Sequence, residues 1–156
     1  MWTPSGWLVA ISPVQTSIQL VDTLPGQPQW STASRQGPPT FGDISRDGKL
    51  LAVGTQLGKI LLLDPKTGLE VQEPLTHGTE WVSTIALPPQ GDMLVSGDRA
   101  GTLKMWNLSH REAKTLPTAH EEKIAHAEFS PDGSLLVTAG GVEITDTEVW
   151  SHKGEV

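Results

Sequence analysis

Five histidines, His77, His110, His120, His126 and His152, are the side chains of this 156-residue chain best suited to hold a metal or shuttle a proton. Their spacing does not support either role. A helical zinc site needs two His at i and i+4 so that one face presents both rings, with a Glu between them. No His-Glu-x-x-His occurs, and His120 and His126 lie six apart. Gly54-Thr55-Gln56-Leu57-Gly58-Lys59-Ile60 looks like a phosphate loop, but it is one residue short and ends in Ile where a metal-binding hydroxyl must stand. It reads better as strand, turn, strand. Ser, His and Asp are all present, yet there is no Gly-x-Ser-x-Gly elbow and nothing in their order suggests a triad. With no cysteine, thiol catalysis, Cys-zinc sites and disulfides are excluded. The acidic run Glu143-Ile144-Thr145-Asp146-Thr147-Glu148 has three carboxylates but lacks the spacing of a calcium loop, and reads as a solvated turn. Asn107-Leu108-Ser109 is a formal glycosylation sequon with no export signal to give it meaning. The expectation is no catalytic residue, no cofactor-binding residue, no metal site and no cofactor.

Charge narrows the partners. Eleven Lys and Arg stand against 18 Asp and Glu, a net charge of -7. Binding a phosphate backbone relies on cations that release condensed counterions, so nucleic acid is not an expected partner, and an anionic membrane surface is disfavoured on the same ground. The first cation is Arg35, and the early apolar run Trp7 to Ile11 is too short to span or export. A cytoplasmic, soluble protein is expected.

The elements that must carry these residues are short. Sixteen Gly and 12 Pro punctuate the chain and leave little room for long helices. The apolar runs, among them Leu8-Val9-Ala10-Ile11, Leu50-Leu51-Ala52-Val53, Met93-Leu94-Val95 and Leu135-Leu136-Val137-Thr138, are bounded mostly by Gly, Pro, Asp or Ser, as strands are. Ala119 to Phe129 is the exception, because its residues favour helix. An internal repeat nevertheless assigns it to strand.

Glycines 6, 48, 91 and 133 each precede an apolar run and are separated by 42, 43 and 42 residues. Val21-Asp22, Leu63-Asp64 and Trp106-Asn107 lie 15 and 16 residues beyond their glycines, while Trp150-Ser151 lies 17 and 18 beyond Gly133, implying a two-residue insertion. Upstream, Leu87-Pro88-Pro89-Gln90-Gly91 matches Phe129-Ser130-Pro131-Asp132-Gly133, with Ile44-Ser45-Arg46-Asp47-Gly48 a weaker copy.

A period near 42 built from short strands, with Ser-Pro-Asp-Gly and a late Trp, resembles the WD40-repeat (WD-repeat) β-propeller family. The resemblance is best from His77 through Asn107 and implies an all-β fold of four-stranded antiparallel blades in an incomplete ring of about 3.5 blades. The repeats are expected at approximately 1–34 (partial), 35–76, 77–118 and 119–156 (partial), within one domain over 1–156. The first blade is expected to open at its second strand. The family stiffens a blade with a buried network of His, Ser or Thr, Asp and Trp; the resemblance places His77, Ser96 and Trp106 in one such network and His120, Thr138 and Trp150 in another. The Asp position is occupied by Ala100, with Asp98 two residues early. In the first two units Ile11, Val53, Val21 and Leu63 replace the network by aliphatic packing.

An open part-ring leaves terminal blade faces wet, so either self-association completes the ring or the chain is a truncated part of a longer propeller. Two chains hold enough residues, at about 42 per blade, for seven or eight blades. The expected function is a non-enzymatic protein–protein interaction scaffold with protein partners of unknown identity. The alternative is a regulatory or substrate-recognition piece of a larger enzyme assembly. Trp81, at the entrance to a first strand, and Arg99 are the candidate interface residues, since aromatic residues and Arg dominate binding hot spots; blade packing is the competing role for Trp81.

Overall fold

The computed structural model describes residues 8–21, 28–89, 92–117 and 120–141, and the backbone of 146–151. Among the described residues every regular element is a strand. In chain order these are β1 (Leu8–Ser12), β2 (Ser17–Val21), β3 (Pro28–Ala33), β4 (Pro39–Ile44), β5 (Leu51–Thr55), β6 (Lys59–Leu63) and β7 (Glu70–Thr76). They are followed by β8 (Val82–Ala86), β9 (Met93–Asp98), β10 (Leu103–Asn107), β11 (Glu112–Leu116), β12 (Ile124–Phe129), β13 (Leu135–Gly140) and β14 (Asp146–Ser151). Each sheet is a meander of sequential neighbours: β1-β2-β3, β4-β5-β6-β7, β8-β9-β10-β11 and β12-β13-β14. Two sheets are therefore complete four-stranded blades.

The chain divides into two compact units, Met1–Val82 and Ser83–Val156. In the first, Val9, Ile18, Leu20, Leu51, Val53, Leu61 and Leu63 form one buried cluster, with Ile11 and Trp30 packed against it. Every second residue of β1, β2, β5 and β6 enters this cluster, as the pleat requires. β5 is buried at every position and β6 at all but Lys59, so the alternation of a half-wet sheet is absent there. In the second unit the corresponding cluster is Ala86, Val95, Leu103, Ile124, Ala127, Phe129 and Leu136.

Of the segment with helix propensity, 124–129 is strand β12, 120–123 is irregular, and Ala119 lies outside the described residues. In β12, Ile124, Ala127 and Phe129 are buried while His126 and Glu128 are exposed, an alternation broken only by an irregularity between Ile124 and His126. Apolar residues set by that spacing gain more from one sheet face than their propensities cost, since each buried large side chain is worth about 1.5–3 kcal/mol and propensity only a few tenths per residue.

Two of the repeated glycines, Gly48 and Gly133, lie in the turns between the first two strands of their sheets. Gly48 and Gly133 have φ of 68° and 73°, a region where side chains other than Gly are strained. Around them two turns are built alike. Ser45 Oγ donates to Asp47 Oδ1 at 2.7 Å and accepts from the Leu50 N–H at 2.9 Å. Ser130 Oγ donates to Asp132 Oδ1 at 2.6 Å and accepts from the Leu135 N–H at 3.0 Å. The hydroxyl of Ser130, followed by the N–H and hydroxyl of Ser134, holds the Asp132 carboxyl down at about 2; Ser45 and then Lys49 lower that of Asp47. Gly6 and Gly91, the other two markers, lie outside the described residues.

Candidate functional site

The residues placed in the first network divide between the two units. Ser96 on β9 and Trp106 on β10 are both buried, and the Trp106 Nε1–H donates to Ser96 Oγ at 2.8 Å. The antiparallel register pairs Trp106 with Leu94 and Ser96 with Lys104, which brings the indole within reach of the hydroxyl diagonally across the sheet. His77 belongs to the first unit, is only 1% exposed, and its backbone N–H donates to the Gly58 carbonyl at 2.8 Å.

In the second network His120 and Thr138 come together. His120 Nε2 lies 3.0 Å from Thr138 Oγ1 and both side chains are buried. Gly140, two residues along β13, completes the slot: a Cβ there would stand 2.3 Å from His120 Nδ1. Trp150 is on β14 opposite Leu136, and its side chain lies outside the described residues.

The acid sought at position 100 has a counterpart at 98. Asp98 is buried and its Oδ1 accepts the N–H groups of Ala100 at 2.9 Å and Thr102 at 2.8 Å, closing the β9–β10 turn. Thr55 does the same between β5 and β6, accepting the Lys59 N–H at 3.1 Å, and Ser12 Oγ accepts the Gln15 N–H between β1 and β2 at 3.3 Å. Ser12, Thr55 and Asp98 are spaced by 43 residues, so the ruler that found the glycines also marks these caps. Gly54, Gly97 and Gly140 repeat at the same interval. A Cβ at Gly97 would meet Ile124 Cβ and Thr84 Cγ2 at 2.9 Å, which is the packing reason for a residue without one.

The turn glycines Gly58 and Gly101 have φ of 67° and 82°, and each has a following loop pressed against it. A Cβ at Gly58 would be 2.2 Å from the Gly78 carbonyl oxygen, and one at Gly101 would be 2.4 Å from that of His120. At these points the backbone of Gly78 and of His120 is packed directly on the turn.

Of the interface candidates, Trp81 is half-buried just before β8. Arg99 is exposed in the turn after β9, at the end of that sheet where β8 begins. The remaining histidines are scattered. His110 folds onto Asn107, with its N–H 3.0 Å from Oδ1, and His126 is exposed beside Glu128 at 3.4 Å. His152 lies outside the described residues, as do residues 143–145 of the acidic run and the side chains of Asp146 and Glu148. The phosphate-loop look-alike is the end of β5, its turn and the start of β6.

Residues 70–107 and 111–142 match the family described as WD domain, G-beta repeat (WD40). The chain carries two WD40 repeats. Those two WD40 repeats cover the stretch holding Ser96, Trp106, His120 and Thr138. Similar proteins include echinoderm microtubule-associated protein-like 2 of Mus musculus, 29% identical over 119 residues, which is 74% of this chain and 18% of that protein. WD repeat and SOCS box-containing protein 1 of Homo sapiens is 34% identical over 100 residues, 62% of this chain and 23% of that protein. Telomerase protein component 1 of Mus musculus is 33% identical over 129 residues, 80% of this chain and 5% of that protein. The WD40 chain thus matches less than a quarter of the length of each of these relatives.

Proposed function

We propose that the chain is a non-enzymatic protein–protein interaction scaffold in which capped turns and the loops clamped beside them hold a partner-binding rim in place. The observation that carries this is the pair of WD40 repeats built on buried side-chain bonds, Ser96 to Trp106 and His120 to Thr138. Such bonds stiffen a blade without making a reaction centre. A pre-organised rim binds with little ordering cost, so a few side chains can supply the affinity. Trp81 and Arg99 are the side chains proposed to do so, in the cytoplasm, toward a protein and not toward nucleic acid or membrane. Affinity capture with the Trp81→Ala, Arg99→Ala double variant tests this. Loss of partners retained by the wild-type chain is expected, and unchanged capture with an intact fold overturns the site.

A second reading, a recognition piece of a larger assembly, is favoured by relatives in which the matched stretch is 5–23% of the whole. Self-association to complete a ring is a further form of the same scaffold. Light scattering on the 16.8 kDa chain separates the forms: a species of twice that mass indicates ring completion, and a stable monomer argues against it.

A further inference from the structure

The first unit carries a second rim feature, made by the tips of two equivalent turns. Val14 in the β1–β2 turn and Leu57 in the β5–β6 turn are 43 residues apart, two residues past the caps Ser12 and Thr55. They are 95% and 59% exposed, although each follows a strand that feeds the core. The loop from 34 to 38 joins them. At one end the Ser34 N–H donates to the Thr16 carbonyl at 2.8 Å, and at the other the Gln56 N–H donates to the Pro38 carbonyl at 2.8 Å. Gly37, with φ of 89°, lies so close to Leu57 that a Cβ would stand 2.6 Å from its Cγ. The Ser34 hydroxyl closes the loop on the Gly37 carbonyl at 2.6 Å. Both tips therefore flank one fixed loop, and the exposed residue in that loop is Arg35. No Asp or Glu occurs between residues 23 and 42 or between 8 and 21, so the sequence around this guanidinium is free of acid in a chain whose net charge is -7.

We propose that Val14, Arg35 and Leu57 form a docking surface for a peptide segment in which apolar side chains flank a carboxylate. An Arg between apolar groups forks onto a carboxylate with fixed geometry, and neighbouring apolar contact keeps water from the pair. A single cation between apolar tips is the wrong surface for a phosphate backbone, which needs many. The proposal rests on the scaffold reading but uses residues separate from Trp81 and Arg99.

A phage-displayed random peptide library selected on the full chain provides the test. Enriched peptides should carry Asp or Glu flanked by apolar residues, and their binding should fall at least tenfold for Arg35→Glu and for Val14→Ser with Leu57→Ser. Arg35 is exposed and stands outside the core cluster, so Arg35→Glu reads the site even if the serine pair unfolds, and circular dichroism identifies that case. No enrichment, or enriched peptides that bind these variants as well as the wild type, overturns the proposal. Peptides that depend on Trp81 and Arg99 instead leave the scaffold standing and remove this surface; if no peptide or protein is retained by any form of the chain, the scaffold reading itself fails.

Discussion

Gly140 lies against the face of the buried His120 imidazole, so close that a methyl group at that position would stand 2.3 Å from Nδ1. The contact fixes the ring where Nε2 meets Thr138 Oγ1 at 3.0 Å. Gly140→Ala must push the ring or the strand aside, at a cost of about 1–3 kcal/mol. Thr138→Val keeps the shape but removes the hydroxyl, leaving a buried ring nitrogen without that partner at a further cost of about 1–3 kcal/mol. Urea denaturation should show both as lower midpoints, with Thr138→Ser much closer to wild type than Thr138→Val.

The bond from Trp106 to Ser96 predicts a comparable asymmetry. Ser96→Ala strands the indole N–H in a dry site and should destabilise by about 1–3 kcal/mol. Trp106→Phe in the Ser96→Ala background removes the stranded donor, so the double variant should lose less than the sum of the single losses. Thermal denaturation of the four proteins measures that coupling.

Trp30 locks β3 onto the β6–β7 turn. Its Nε1–H donates to the Pro65 carbonyl at 3.0 Å, Thr32 Oγ1 donates to the Gly68 carbonyl at 2.8 Å, and a Cβ at Gly68 would be 2.5 Å from the indole Cε3. Gly68 also has φ of 71°, so Gly68→Ala combines backbone strain of about 1–2 kcal/mol with a clash. Trp30→Ala should cost about 3 kcal/mol. Limited proteolysis should then cut first within β3, Pro28–Ala33.

Acid should loosen the paired serine–aspartate turns late. Asp132 is held at about 2, chiefly by the Ser130 hydroxyl, and Asp47 is lowered chiefly by that of Ser45. A depressed carboxyl contributes stability that is fully present above its unfolded value of 3.8 and lost as pH falls through the folded one, so for Asp132 the window runs from 3.8 down to about 2. NMR titration should find the Asp132 midpoint near 2 in the wild type and closer to 3.8 in Ser130→Ala. An ordinary midpoint in the wild type would show that the turn does not hold its carboxyl as described.

Much of this was legible in the sequence because a repeat multiplies weak signals. One glycine before an apolar run says little, but four at near-equal intervals place strands, turns and the Ser96 and Trp106 positions together. Ile124 to Phe129 was readable only through the repeat, since local propensity favours helix and tertiary burial decides otherwise. The caps at Ser12, Thr55 and Asp98 were harder to see because three different side chains perform one task, accepting an N–H in a turn. Residue identity hides what spacing shows. Gly97 and Gly140 are a different case, because their reason lies across the sheet, in Ile124, Thr84 and His120, and no local pattern reveals a close approach.

Hydrogen exchange on the chain with and without a captured protein partner tests the scaffold most directly. The account predicts protection gained at the backbone around Trp81 and Arg99, with the strand cores, already protected, unchanged. Protection appearing instead throughout the strands, with none at those turns, would mean that the blades fold on their partner and do not present a ready-made rim.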